Sequence, residues 1–100
     1  MTFTENLEQQ LEKEIRDACK KSQRYVGNKA KRPLELISMY GAVETVRRLV
    51  SRPQINDAFV DLILAGKTKL TLEYIICKYK YRALFDDAVI KNAITKLTFN

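Results

Sequence analysis

Up to Gly27 no glycine or proline interrupts the chain, and Leu7, Leu11, Ile15, Ala18 and Cys19 recur at the spacing of one helical face. A chain that opens this way commits its first quarter to a single amphipathic helix, and the rest must cover that stripe. Thr4 is placed to cap the helix, with Glu5 and Glu8 in the first turn where carboxylates favour the positive end of the dipole. Lys20, Lys21 and Arg24 complement the other end, and Gly27-Asn28 is a stop signal that should fray the helix near Tyr25.

Pro33 suits the first turn of a second helix carrying Leu34, Leu36, Ile37 and Tyr40, which Gly41 breaks. A third runs from Ala42 to Ser51, with Val43, Val46, Leu49 and Val50 inward and Glu44, Arg47 and Arg48 outward. Asn56 or Gln54 starts a fourth, burying Ile55, Phe59, Leu62 and Ile63 and stopping at Gly66. Thr71 caps a short fifth through Leu72, Ile75 and Ile76. A strand is the alternative over Tyr74–Tyr79, which is rich in aromatic and β-branched residues. Helix is preferred there because no other segment offers that strand a partner. Asp86 opens a last helix with Val89, Ile90, Ala93, Ile94 and Leu97 on one face. The expectation is an all-α, compact single domain over residues 1–100, a bundle of five or six short helices with a long amphipathic N-terminal one. Three glycines and two prolines in 100 residues agree with that and argue against a turn-rich β architecture.

From Leu36 to Leu97 the string resembles a small, uncharacterised bacterial all-α domain family. Gly41-Ala42-Val43-Glu44-Thr45 with Arg48-Leu49-Val50, then Ala58-Phe59, follow its pattern. Gly66-Lys67-Thr68-Lys69-Leu70-Thr71-Leu72-Glu73 and Leu84-Phe85-Asp86-Asp87 continue it. The resemblance implies an all-α fold and a helix over Leu72–Cys77. It implies no activity and carries over no catalytic residue. Ala42 and Ala58 stand where the family usually has Gly, and Lys69 where it usually has Asp, which makes this chain more basic there.

Charge is unevenly placed. Lys20, Lys21, Arg24, Lys29, Lys31 and Arg32 form a run with no acid, and Lys67, Lys69, Lys78, Lys80 and Arg82 form another against Glu73 alone. The first nineteen residues are mostly acidic, with Glu5, Glu8, Glu12, Glu14 and Asp17 against Lys13 and Arg16. One helix dipole accounts for Glu5 to Lys21; the remaining excess points to a polyanionic or acidic partner. Arg24 to Arg32 reads as a mobile basic loop, with Tyr25 to place a ring on a base or sugar. Lys78-Tyr79-Lys80-Tyr81-Arg82, if extended, would turn its cations outward and both tyrosines onto the core. The alternative for both stretches is a solvated surface that keeps the protein soluble.

Other chemistry is thinly represented. The chain has no histidine, which removes Ser-His and Cys-His pairs and histidine metal sites. Asp57 and Asp61 are one turn apart and Asp86-Asp87 open a helix, positions that serve a solvated face and a cap without invoking catalysis. Cys19 and Cys77 make no CxxC pair and read as reduced, buried thiols. No cofactor, no metal and no enzymatic role are expected. Arg47, Arg48 and Arg52 allow a helix-turn-helix reading around Gly41, but that helix lacks an outward Asn or Gln to read adenine. Apolar runs such as Leu62–Ala65 are far short of the roughly twenty residues a membrane span needs. The N-terminus has no secretion-signal pattern, so a cytoplasmic location is expected.

Three functional readings follow. One is a non-catalytic module that contacts nucleic-acid backbone through the basic residues. Another is a protein-interaction module, such as a phage or mobile-element inhibitor that occupies an acidic surface of a host protein. The third is a structural accessory of a larger machine. The stripe of the first helix is narrow enough for a two-helix seam and so for a homodimer, but packing on its own domain is the commoner outcome and the one expected.

Overall fold

A computed structural model describes residues 2–52 and 56–98. Six α-helices follow in order: α1 Phe3–Val26, α2 Lys31–Tyr40, α3 Ala42–Val50, α4 Asp57–Leu64, α5 Leu72–Ile76 and α6 Asp87–Thr98. Short 3-10 turns at Gly27–Ala30, Thr68–Leu70 and Tyr79–Leu84 join α1 to α2, α4 to α5 and α5 to α6. Among the described residues there is no strand, and none of the helices is long and apolar enough to cross a membrane.

Local chemistry sets the boundaries, though not always where spacing alone predicts. The cap of α1 is Thr2 rather than Thr4. Its hydroxyl accepts from the Glu5 N–H while the Glu5 carboxylate accepts from the Thr2 N–H, a reciprocal pair that needs the three-residue separation. Gly27, at φ 62°, ends α1 in a conformation that costs a side-chain-bearing residue about 1 kcal/mol. No open loop follows. The chain makes one 3-10 turn and enters α2 at Lys31, so Pro33 is the third helical residue, where its missing N–H is still not needed. The mobile basic loop expected between Arg24 and Arg32 is therefore helical throughout, because Val26 and Ala30 are both buried and pin it.

Asn56 caps α4 through a 2.8 Å bond from the Phe59 N–H, and Gly66 closes it at φ 72°. Gln54 and Ile55 lie outside the described residues. Thr71 caps α5, accepting from Tyr74 N–H at 3.1 Å, and Leu72–Ile76 is a helix, not a strand.

The core lies between α1, α3, α5 and α6. Leu11 and Ile15 meet Val46, Val50, Ile75, Ile76 and Ala93, all with at most 1 % of their surface exposed. Truncating one of the large aliphatics to alanine costs about 2–5 kcal/mol. A smaller cluster of Val26, Ala30 and Leu62, with Tyr25, Ala58 and Leu70 against it, ties the end of α1 to α4. The α1 stripe is thus covered by the chain's own helices, the outcome expected ahead of a dimer seam. Two residues expected inward turn outward: Ile94 is exposed, and Tyr40 lies exposed beneath the Arg48 guanidinium, 3.9 Å from its ring centroid.

Candidate functional site

Helical geometry places Glu14, Lys21 and Tyr25, spaced by seven and four residues, along one side of α1 at the border of its buried stripe. The second basic stretch touches this border twice. At Glu14, Lys78 forms an ion pair, Lys80 lies 3.9 Å away, and the Tyr81 hydroxyl donates to the carboxylate at 2.8 Å. At Tyr25, Lys67 Nζ lies 5.7 Å from the ring centroid, and the Arg24 guanidinium lies 5.7 Å from the same ring. Eleven residues of helix separate the two contacts, about 16 Å at 1.5 Å per residue. Ala30 packs with Val26, Leu62 and Leu70, which sets Lys29, Lys31 and Arg32 beside the turn that carries Lys69.

The cations differ in what they are already holding. Lys78 and Lys80 are committed to Glu14. Lys29 binds Asp61 at 2.9 Å, and this hydrogen bond holds the lysine above its ordinary pKa. Arg82 donates through Nε to the Cys77 carbonyl at 2.9 Å. Among the described residues no carboxylate forms an ion pair with Lys20, Lys21, Arg24, Lys31, Arg32, Lys67 or Lys69. Cations without an ion pair therefore lie toward the Tyr25 end of α1, while at the Glu14 end one carboxylate is shared by two lysines. Burial raises the Glu14 carboxyl, but the hydrogen bonds from Lys78 and Tyr81 and the two lysine charges outweigh it. The net value lies below the ordinary one.

Lys78–Arg82 is not extended: Tyr79–Leu84 forms a 3-10 turn, with the Tyr81 N–H bonded to the Lys78 carbonyl at 2.9 Å and the Phe85 N–H to the Arg82 carbonyl at 3.2 Å. Only Tyr81 reaches the core, fully buried; Tyr79 is 93 % exposed. The third helix ends at Val50, leaving Arg52 outside it. Arg47 and Arg48 both lean on Glu44, so the helix-turn-helix face is occupied by its own ion pairs.

A cavity of about 370 Å³ opens beside the basic cluster. Its inner wall is apolar, with Val26, Phe59, Leu62 and Leu72, and Lys29, Arg32 and Arg52 stand at its mouth with Asp57. Glu73 forms part of the wall at 4 % exposure, 3.6 Å from Lys96 Nζ. Burial pushes this carboxyl above its ordinary value, and the lysine pulls the other way without overcoming it. Lys96 also donates to the Val50 carbonyl at 3.0 Å, tying α6 to the end of α3. Neither half of this buried pair stands out in the sequence as a site residue, yet Lys96 is seven residues after Val89 and three after Ala93, on the same helical stripe.

Cys19 is buried and its thiol is pushed up to about 11 by that burial; Cys77 is half-buried and also raised. Neither forms a disulfide, and no three Cys, Asp or Glu side chains gather as a metal site among the described residues. Compared with protein-family models, curated proteins and solved structures, the chain matches none.

Proposed function

We propose that the protein is a non-catalytic module that binds nucleic-acid backbone through the cluster at the Tyr25 end of α1. The observation that carries this reading is the meeting of the two basic stretches there. Arg24 and Lys67 approach one ring, and Lys20, Lys21, Lys31, Arg32 and Lys69 in the same two stretches form no ion pair. Like charges held together raise the local potential and favour a polyanion, whose condensed counterions are released on binding.

Fluorescence anisotropy of labelled DNA and RNA over about 50–200 mM salt tests it. Affinity should fall with a log–log slope steeper than about −3, which corresponds to four or more phosphates neutralised. The combined change Lys21→Ala, Arg24→Ala and Lys67→Ala should flatten that slope by about 2. Absence of binding at the lowest salt would sink the proposal.

A second reading, an acidic protein partner, draws on the cavity: an apolar hollow with Lys29, Arg32 and Arg52 at its mouth suits an acidic segment bearing one apolar anchor. Ala58→Trp, which fills the hollow, separates the two. It should abolish such a protein contact and leave nucleic-acid affinity unchanged.

A further inference from the structure

We infer that Tyr79 is a base-stacking platform and that the nucleic acid this protein takes is single-stranded. The inference rests on the nucleic-acid reading above and extends it to a residue outside the Tyr25 cluster. Tyr79 is the most exposed large apolar side chain among the described residues, at 93 %. Phe3 and Leu64 are also well exposed, but neither stands between two cations in the chain.

Tyr79 opens a 3-10 turn whose neighbouring residues are fastened. Lys78 before it and Lys80 after it both approach Glu14. Tyr81, two residues on, is fully buried with its hydroxyl on the same carboxylate, 2.8 Å away. Arg82 hydrogen-bonds the Cys77 carbonyl and Phe85 is buried. The backbone at Tyr79 is thus held while its ring is left in water, so folding gains nothing from burying that ring.

What surrounds the ring chooses among partners. A protein hot spot wants an apolar rim that excludes water. Both sequence neighbours of Tyr79 are exposed lysines, and the residue does not line the cavity beside the basic cluster. The two lysines share the single carboxylate of Glu14, so a net positive charge stays beside the ring, the combination that stacks on a base while a neighbouring charge holds a phosphate. In a duplex both faces of each base are already stacked, so this contact is open only to an unpaired strand. The strand's path is also laid out. From Glu14, which holds the lysines on either side of Tyr79, to Tyr25, one side of α1 runs for about 16 Å, with Lys21 on the way.

The experiment compares one labelled single strand, its duplex and an abasic strand of equal length. It uses the full chain and its Tyr79→Ala, Tyr79→Phe and Tyr79→Trp variants. The single strand should bind at least about 10-fold tighter than the duplex. Tyr79→Ala should lose about 5- to 150-fold on the single strand, with an unchanged salt slope and no loss on the abasic one. Tyr79→Phe should bind as the parent does. In Tyr79→Trp the indole emission, the only one in a chain without native tryptophan, should be quenched on binding. Equal affinity for duplex and single strand, with Tyr79→Ala indistinguishable from the parent, overturns the stacking inference and leaves backbone binding standing. No binding to any of the three removes both.

Discussion

Replacing Lys96 with methionine keeps the aliphatic stem and removes the ammonium from a position only 5 % exposed. Two partners lose by it. The Val50 carbonyl, among the last of α3 and so without a helical donor, gives up its 3.0 Å bond. Glu73, 4 % exposed, loses the charge 3.6 Å from its carboxylate. Removing one member of a buried pair costs about 3–5 kcal/mol, against about 5–15 kcal/mol for the whole stability of an ordinary domain. Lys96→Met should therefore cost about a fifth or more of the protein's stability at neutral pH.

Glu73 gives this prediction a second axis. Burial raises its folded pKa above the ordinary 4.5, so the folded state binds that proton more tightly than the unfolded chain. The resulting stability is fully present below 4.5 and is lost as pH rises through the raised folded value. Without Lys96 the carboxyl is raised further, so the deficit of Lys96→Met should shrink steadily as pH falls toward 4.5. Adding Glu73→Met should restore most of the loss at neutral pH, because an apolar pair needs no compensation. Urea unfolding followed by far-ultraviolet circular dichroism, at neutral pH and near 4.5, measures all three proteins. A cost for Lys96→Met below about 1 kcal/mol that does not vary with pH would refute the reasoning, since the pair would then not be desolvated.

Tyr81→Phe removes one hydrogen bond to Glu14 from a fully buried ring and should cost about 1–2 kcal/mol by urea unfolding. Because the folded Glu14 carboxyl lies below its ordinary value, its contribution holds above 4.5 and is lost as pH falls through the lowered value, so Glu14→Gln should flatten the acid side of the stability profile. Thr45 is fully buried and its hydroxyl has no hydrogen-bond partner among the described residues; Thr45→Val should raise the urea midpoint, by about 1 kcal/mol of stability.

The helices are legible in the sequence because their apolar residues keep a 3.6-residue period, and five caps or stops are written in residues that can form them: Gly27, Gly41, Asn56, Gly66 and Thr71. Thr2 is equally legible as a capping box with Glu5, but Thr4, two residues on, competes for the same role in a reading by residue type. Polar residues on buried stripes are harder to see. Lys96 and Thr45 share helical faces with Ala93 and Ala42, but a rule that sorts residues by hydrophobicity assigns both to water. The Lys78–Arg82 stretch alternates as a strand would, and only tertiary contact distinguishes it. Glu14, sixty-four residues away from Lys78 along the chain, selects a 3-10 turn that buries one tyrosine and exposes the other. Such a partner leaves no local trace.

Glu14 also explains why the two basic stretches divide as they do. The acidic first half of α1 and its basic second half complement the helix dipole, and that alone would make both stretches neutral features of a surface. The acid in the middle of α1, however, draws Lys78 and Lys80 onto itself, while the front of the same stretch, Lys67, is carried to Tyr25 beside Arg24. Packing accounts for the first contact: a buried tyrosine and two lysines share one carboxylate. It does not account for the second, where two cations share a ring and, among the described residues, no carboxylate pairs with either. Gathering like charges opposes folding, so the Tyr25 end carries an electrostatic cost that the proposed polyanion would offset.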